Sequence, residues 1–298
     1  MTSLHDLVAA ELAEPVDARV TAMAKALASR YPGAARAVLF YGSCLRSAEL
    51  DGQMLDFYLI VSGYRDAYGR SWLAAANRLI PPNVFPFEHG GLAAKYAVLS
   101  EEDFNRLNSP ETLSVSVWAR FAQPSRLVWQ ADARAAARCA DAIARAAPTL
   151  LAAAFPFAVT AGALELWRQA FALTYSAELR AERGQRAASV VDADPERYLR
   201  FTAPAVADAG VTLGVPSSAA ERSRARRLWA RRRRAGKLLS VLRLAKASGT
   251  FAGGIDYLAW KINRHAGTAI AIAPWQRRWP LLGAVTLLPR LLKRGAIR

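Results

Sequence analysis

The sequence predicts an α+β chain built on a mixed sheet, and three observations carry that expectation. Two short apolar runs, 37–41 and 55–61, flank a polar loop that opens on Gly42-Ser43, the pattern of strand, turn and strand. An alanine-rich stretch over 129–183 keeps helical periodicity. The charge is unevenly divided: Arg222 to Arg298 holds 19 Lys and Arg against one acid, Asp256, while the rest of the chain sums to −2. These features divide the chain into a sheet-containing domain over 1–128, a mostly helical second domain over 129–220, and a basic amphipathic region over 221–298.

Each element has a local reason. Leu4, Leu7, Val8 and Leu12, then Val20, Met23 and Leu27, fall at helical spacings over 3–29, and Tyr31-Pro32-Gly33 ends the element. Strands follow at 37–41 and 55–61, the second stopped by Ser62-Gly63. A helix over 70–80 ends at Pro81-Pro82, and VFPFEHGGLAAKYAVLS reads as a loop or hairpin leading into a strand near 95–99. Ser100, followed by Glu101, Glu102 and Asp103, reads as a helix cap with an acidic first turn. Two helices are expected over 129–183, broken around Pro148 and Pro156, then irregular chain over 186–219. A very basic helix over 220–247 and a short one near 255–264 complete the reading.

Composition excludes several classes. At 53% hydrophobic and 21% charged residues the chain can bury a core, which argues against wholesale disorder. Two cysteines, Cys44 and Cys139, indicate no disulfide scaffold. The start, MTSLHDLVAAELAEP, has no basic n-region and does not read as a secretory signal. No stretch of about 18 consecutive apolar residues occurs, so a conventional spanning helix is not expected. His89 and His265 stand too far from other ligands for a zinc site, and the Asp192/Asp194 pair reads as part of a turn.

The chemistry concentrates at Gly42. A Gly-Ser turn after a buried strand can press its backbone N–H groups against a phosphate, because glycine permits close approach, and Ser43 adds a hydroxyl. A carboxylate on the following strand can hold Mg²⁺ against triphosphate oxygens. Asp56 stands 14 positions after Gly42 and heads that strand. Gly42, Ser43 and Asp56 thus match the architecture of a nucleotidyltransferase site. The usual Asp-x-Asp pair is incomplete in Asp56-Phe57-Tyr58. Asp51 and Glu88 are the candidates for a second metal ligand.

Several segments, in order, resemble the mitochondrial-type phosphatidate cytidylyltransferases, the translocator-maintenance family. They are FYGSCLR and MLDFYLIV, KYAVLS at 95–100, WARFAQPSRLV at 118–128, and LRLAKASGTFAGGIDYLAWKI at 242–262. The resemblance covers roughly residues 30–130 and 240–263, and in that family too the Asp-x-Asp pair is reduced. Ala97 stands where the family has glycine, and Gln123 where it has lysine. The resemblance implies a nucleotidyltransferase-type mixed sheet followed by a winged-helix-like helical domain and a membrane-contacting C-terminus. It implies Mg²⁺-dependent transfer of CMP from CTP to phosphatidic acid, giving CDP-diacylglycerol and pyrophosphate. Gly42, Ser43 and Asp56 would then be core site residues, with Lys95, Tyr96 and Arg120 in or near the nucleotide and phosphate pocket.

The basic end fits a lipid substrate. Arg231–Arg234 lie beside Leu228 and Trp229, and the segment from Thr268 onward mixes Trp275 and Trp279 with leucines and arginines. Pro274, Pro280 and Pro289 argue against a continuous span, so the expected arrangement is monotopic, on an anionic membrane surface. That predicts a peripheral protein on the inner, cytoplasmic face of the cell membrane, in a chain whose Ala/Arg richness points to a bacterial origin. No specific nucleic acid is expected, and homo-oligomerisation is left open. The rival readings are a nucleotidyltransferase with another acceptor, whether protein, small molecule or RNA, and a non-catalytic membrane-binding adaptor.

Overall fold

The computed structural model describes residues 2–69, 71–158, 162–177, 186–250 and 272–275. Five strands form one mixed sheet: β1 (Ala35–Tyr41), β2 (Met54–Val61), β3 (Asn83–His89), β4 (Leu92–Ser100) and β5 (Ser125–Gln130), in the spatial order β3-β4-β2-β1-β5. β2 and β4 run parallel, and the other neighbours are antiparallel. Gly90 and Gly91, both at positive φ, close the β3–β4 hairpin in two residues.

The central strands read as near-continuous apolar runs because both faces of the sheet are covered. Alternation sends Leu39, Tyr41, Tyr58, Ile60 and Leu99 to one face, called the front here. Phe40, Phe57, Leu59, Tyr96 and Val98 go to the back. The back is sealed by the helix Ala18–Ser29, through Val20, Met23 and Leu27. The front carries the helical layer: Leu4–Leu12, Ala133–Ala144, Ala146–Ala154, Ala163–Ala177 and Pro195–Asp208. One apolar cluster runs from Leu4 through Ile60 and Trp167 to Trp229. The boundary expected at 128 falls inside β5, and the one at 220 falls inside the helix Ala219–Thr250.

Local chemistry explains where the elements differ from expectation. The helix expected over 3–29 is two helices, because Pro15 separates them and the Asp17 carboxylate caps the second, accepting from Arg19 N at 2.7 Å. Among the described residues the alanine-rich region yields three α-helices and a short 3-10 helix, Phe155–Phe157, with Pro148 tolerated in the first turn of Ala146–Ala154. The stretch expected to be irregular contains Arg186–Asp192 and Pro195–Asp208. Asp194 caps the second of these, with Pro195 in its first turn. The acidic cap at Ser100 is present: its hydroxyl accepts from Asp103 N at 3.2 Å.

The basic helix Ala219–Thr250 is not a uniformly solvated rod. Trp229 is buried and its Nε1 donates to the Ala153 carbonyl at 2.8 Å. Arg243 donates to the Pro81 carbonyl at 2.9 Å and to the Ser116 hydroxyl at 3.0 Å. Lys246 donates to the carbonyls of Ile80 and Pro82. Trp229, Arg232, Arg243 and Lys246 thus form an inner stripe at helical spacing. Among the described residues no helix is long and apolar enough to cross a membrane. The helix expected near 255–264 lies outside the described residues, as does the Trp/Leu segment after Thr268 apart from 272–275, where Trp275 is exposed.

Candidate active site

β1 ends in Tyr41, and Gly42 then turns the chain into a short helix, Ser43–Ser47. Gly42 has φ 98° and ψ −159°, a backbone region that only glycine populates readily. The turn also needs the missing side chain: a Cβ here would stand 2.8 Å from Oδ2 of Asp56. Ser43 is exposed at the start of that helix. Cys44 is buried behind it, with its thiol against the Met54 carbonyl at 3.6 Å and its pKa pushed up by burial.

Register assembles the rest. Asp56 lies opposite Tyr41 on β1 and beside Lys95 on β4. The Lys95 ammonium meets Oδ1 of Asp56 at 3.0 Å, with the two side chains 31% and 17% exposed. The pair is therefore half-sheltered and still reachable from solvent. Arg120, on the one-turn helix Trp118–Phe121, lays its guanidinium over Tyr41 at 5.0 Å and over Tyr58 at 6.0 Å from the ring centroids. Its Nη1 donates to the Tyr58 hydroxyl at 3.3 Å. Burial holds the Tyr41 phenol well above its ordinary pKa, while the Arg120 charge pulls it down and the Asp56 charge pushes it up.

A buried ion pair steadies the Arg120 helix. Arg197 and Glu11 are both nearly solvent-free, with Arg197 Nη2 to Glu11 Oε1 at 2.9 Å. Arg197 Nη1 donates to the Ala122 carbonyl at 3.1 Å, just after that helix. Gln123 follows; its amide donates to the Ala119 carbonyl at 2.9 Å and its oxygen accepts from Arg46 at 3.5 Å.

The structure thus brings Gly42, Asp56 and Lys95 together on the front face, with Ser43 in the adjoining turn and Arg120 joined through Tyr41 and Tyr58. Tyr96 is not part of this group. It follows Lys95 on the same strand, so alternation turns it to the back, where its hydroxyl meets that of Tyr31 at 2.9 Å. Asp51 is not joined to Asp56 either: it is 83% exposed and pairs with Arg19 at 2.8 Å, at the start of the helix that covers the back face. Glu88 is exposed near the end of β3, opposite Ala93. Among the described residues no cluster of three or more His, Cys, Asp or Glu could hold a metal.

Tyr41 and Tyr58 are the contacts that sequence reasoning missed. Both signals were present: Tyr41 immediately precedes Gly42, and Tyr58 lies one strand period after Asp56. No protein-family model and no curated protein matches this sequence.

Proposed function

We propose that this chain is a nucleotidyltransferase that moves CMP from CTP to the phosphate of phosphatidic acid, releasing pyrophosphate. The observation that carries the reading is the closure of Gly42 onto Asp56, with the Lys95 ammonium 3.0 Å from that carboxylate on a reachable face. The glycine turn offers close backbone approach to a phosphate. Lys95 and the planar fork of Arg120 supply positive charge where anions must meet.

The acceptor phosphate is already a nucleophile and needs no strong base. One of its oxygens bonds to the α-phosphorus of CTP, the bond from that phosphorus to the bridging oxygen breaks, and pyrophosphate leaves with the electron pair. The protein's task is to align the two anionic groups and reduce their repulsion. Lys95 neutralises charge beside Asp56, and Arg120 orients a phosphate by paired hydrogen bonds. Asp56 suits Mg²⁺, which commonly binds through one or two carboxylates completed by substrate phosphates. Bound there, the ion would polarise phosphoryl oxygens.

The outer side of the Ala219–Thr250 helix supports a lipid acceptor. Arg224, Arg227, Arg231 and Arg234 are exposed at helical spacing and are followed by Leu238 and Leu242, 60% and 38% exposed. Such a stripe suits an anionic bilayer surface, with apolar residues entering beside the head groups. The proposed location is the membrane surface. One observation favours the adaptor reading instead: the single carboxylate is already paired with Lys95.

The deciding experiment mixes the chain with Mg²⁺, labelled CTP and phosphatidic acid vesicles, with ATP in parallel. Label entering CDP-diacylglycerol, dependent on both substrates and lost about 10³-fold in a folded Asp56→Asn variant, supports the enzyme. Vesicle binding without pyrophosphate release sinks it in favour of the adaptor.

A further inference from the structure

A second polar constellation involves neither Asp56 nor Lys95. Arg232 sits on the inner side of the Ala219–Thr250 helix and is 2% exposed. Its guanidinium carbon is 5.3 Å from the ring centroid of Trp229 and 5.5 Å from that of Trp118. The Nε and Nη1 donors of Arg232 are closed off from solvent and meet no acceptor, and Nε1 of Trp118 is in the same condition. Among the described residues no carboxylate pairs with Arg232. Burial alone pulls its pKa below the ordinary value. Arg197 shows the contrast: it is equally buried, yet Glu11 faces it and its pKa is raised.

A guanidinium does not shed its proton in proteins, so the charge stays. The two indole faces attract it but accept no hydrogen bond in the plane of its fork. A water molecule could take an N–H but would leave the charge uncancelled. What the constellation lacks is an acceptor that carries negative charge, and a planar fork matches the paired oxygens of an oxyanion. Exposed Arg231, Arg233 and Arg234 beside it raise the local concentration of phosphate-bearing groups.

We propose that Arg232 and the Trp118 indole N–H form a phosphate-binding site distinct from the Asp56–Lys95 site. The phosphate comes either from a lipid head group or from free phosphate. This inference does not depend on the catalytic reading.

The test is thermal melting and tryptophan fluorescence of the full chain at constant ionic strength. Chloride is exchanged for inorganic phosphate in one arm and for monomeric short-chain phosphatidic acid in the other. A saturable stabilisation in either arm, kept by Lys95→Met and by the surface variant Arg231→Gln/Arg233→Gln but lost in Arg232→Met, establishes the site; the responding arm identifies the source. In chloride alone Arg232→Met should melt at or above the wild type, because an uncompensated charge has been removed. Arg232→Lys, which keeps the charge without the fork, should bind about tenfold more weakly or worse, the scale of one charge-assisted hydrogen bond. No saturable response in either arm, an unchanged response in both Arg232 variants, or a lower melting point for Arg232→Met in chloride overturns the proposal.

Discussion

The two faces of the sheet use neighbouring residues of the same strands for opposite ends. On β2, Asp56 faces forward and Phe57 back; on β4, Lys95 faces forward and Tyr96 back. In front, the charged pair is left partly open beside a glycine turn. Behind it, Phe85, Phe87 and Tyr31 pack around Tyr96 under the helix Ala18–Ser29. A strand therefore separates what a sequence motif joins. Adjacent residues on a strand are the ones least able to share a site, while Asp56 and Lys95, far apart in the chain, meet through parallel register.

That contrast predicts a hierarchy of effects, with the front face first. Gly42→Ala should be the most damaging single change. It places a Cβ against Asp56 and forces alanine to φ 98°, a backbone cost of about 1–3 kcal/mol. Transfer activity should fall to background and the melting point should drop with it. A fully active Gly42→Ala would show that the turn does not set the Asp56 position. Lys95→Met comes next. It should lower activity by about 10²-fold, the scale of one lost donor to a transferring group, while the fold is retained. Equal loss of vesicle binding would instead point to a lipid-contact role for Lys95.

Much of the front face was legible because its determinants are local. The two strands, the glycine turn and Asp56 lie within one stretch, and period two fixes which side chains share a face. The pairing of β2 with β4 was not legible, since no local pattern encodes which distant strand lies alongside. Tyr96 was grouped with Lys95, whereas the same alternation that puts Lys95 forward puts Tyr96 back. The helix Pro195–Asp208 was read as irregular because Pro195 and Pro204 look like punctuation, yet Asp194-Pro195 is a start signal and the fold tolerates Pro204. The inner stripe of the basic helix was hidden for a different reason. Arg232, Arg243 and Lys246 look like surface residues by hydropathy, and only tertiary packing against Trp118 and the Ile80–Pro82 carbonyls turns them inward.

The back face supplies the milder tests. Tyr96→Phe removes the hydroxyl bonded to Tyr31 and should cost about 0.5–1.5 kcal/mol of stability by denaturant melts. Its activity and its dependence on CTP concentration should match the wild type. A raised KM for CTP would bring Tyr96 back to the nucleotide and break the separation of faces.

The smallest effect is expected at Asp51. Its carboxylate is largely exposed and shares the Arg19 guanidinium with Asp17, an arrangement screened by solvent. Asp51→Asn should leave both the melting point and the Mg²⁺ concentration for half-maximal activity unchanged, whereas Asp56→Asn should remove activity at every Mg²⁺ concentration. The two substitutions make the same chemical change, so any difference between them measures position alone. A Mg²⁺ requirement shifted upward in Asp51→Asn would mean that the loop leaves Arg19 and swings to the front face during the reaction. The metal would then be held by two carboxylates from β2 and the loop before it.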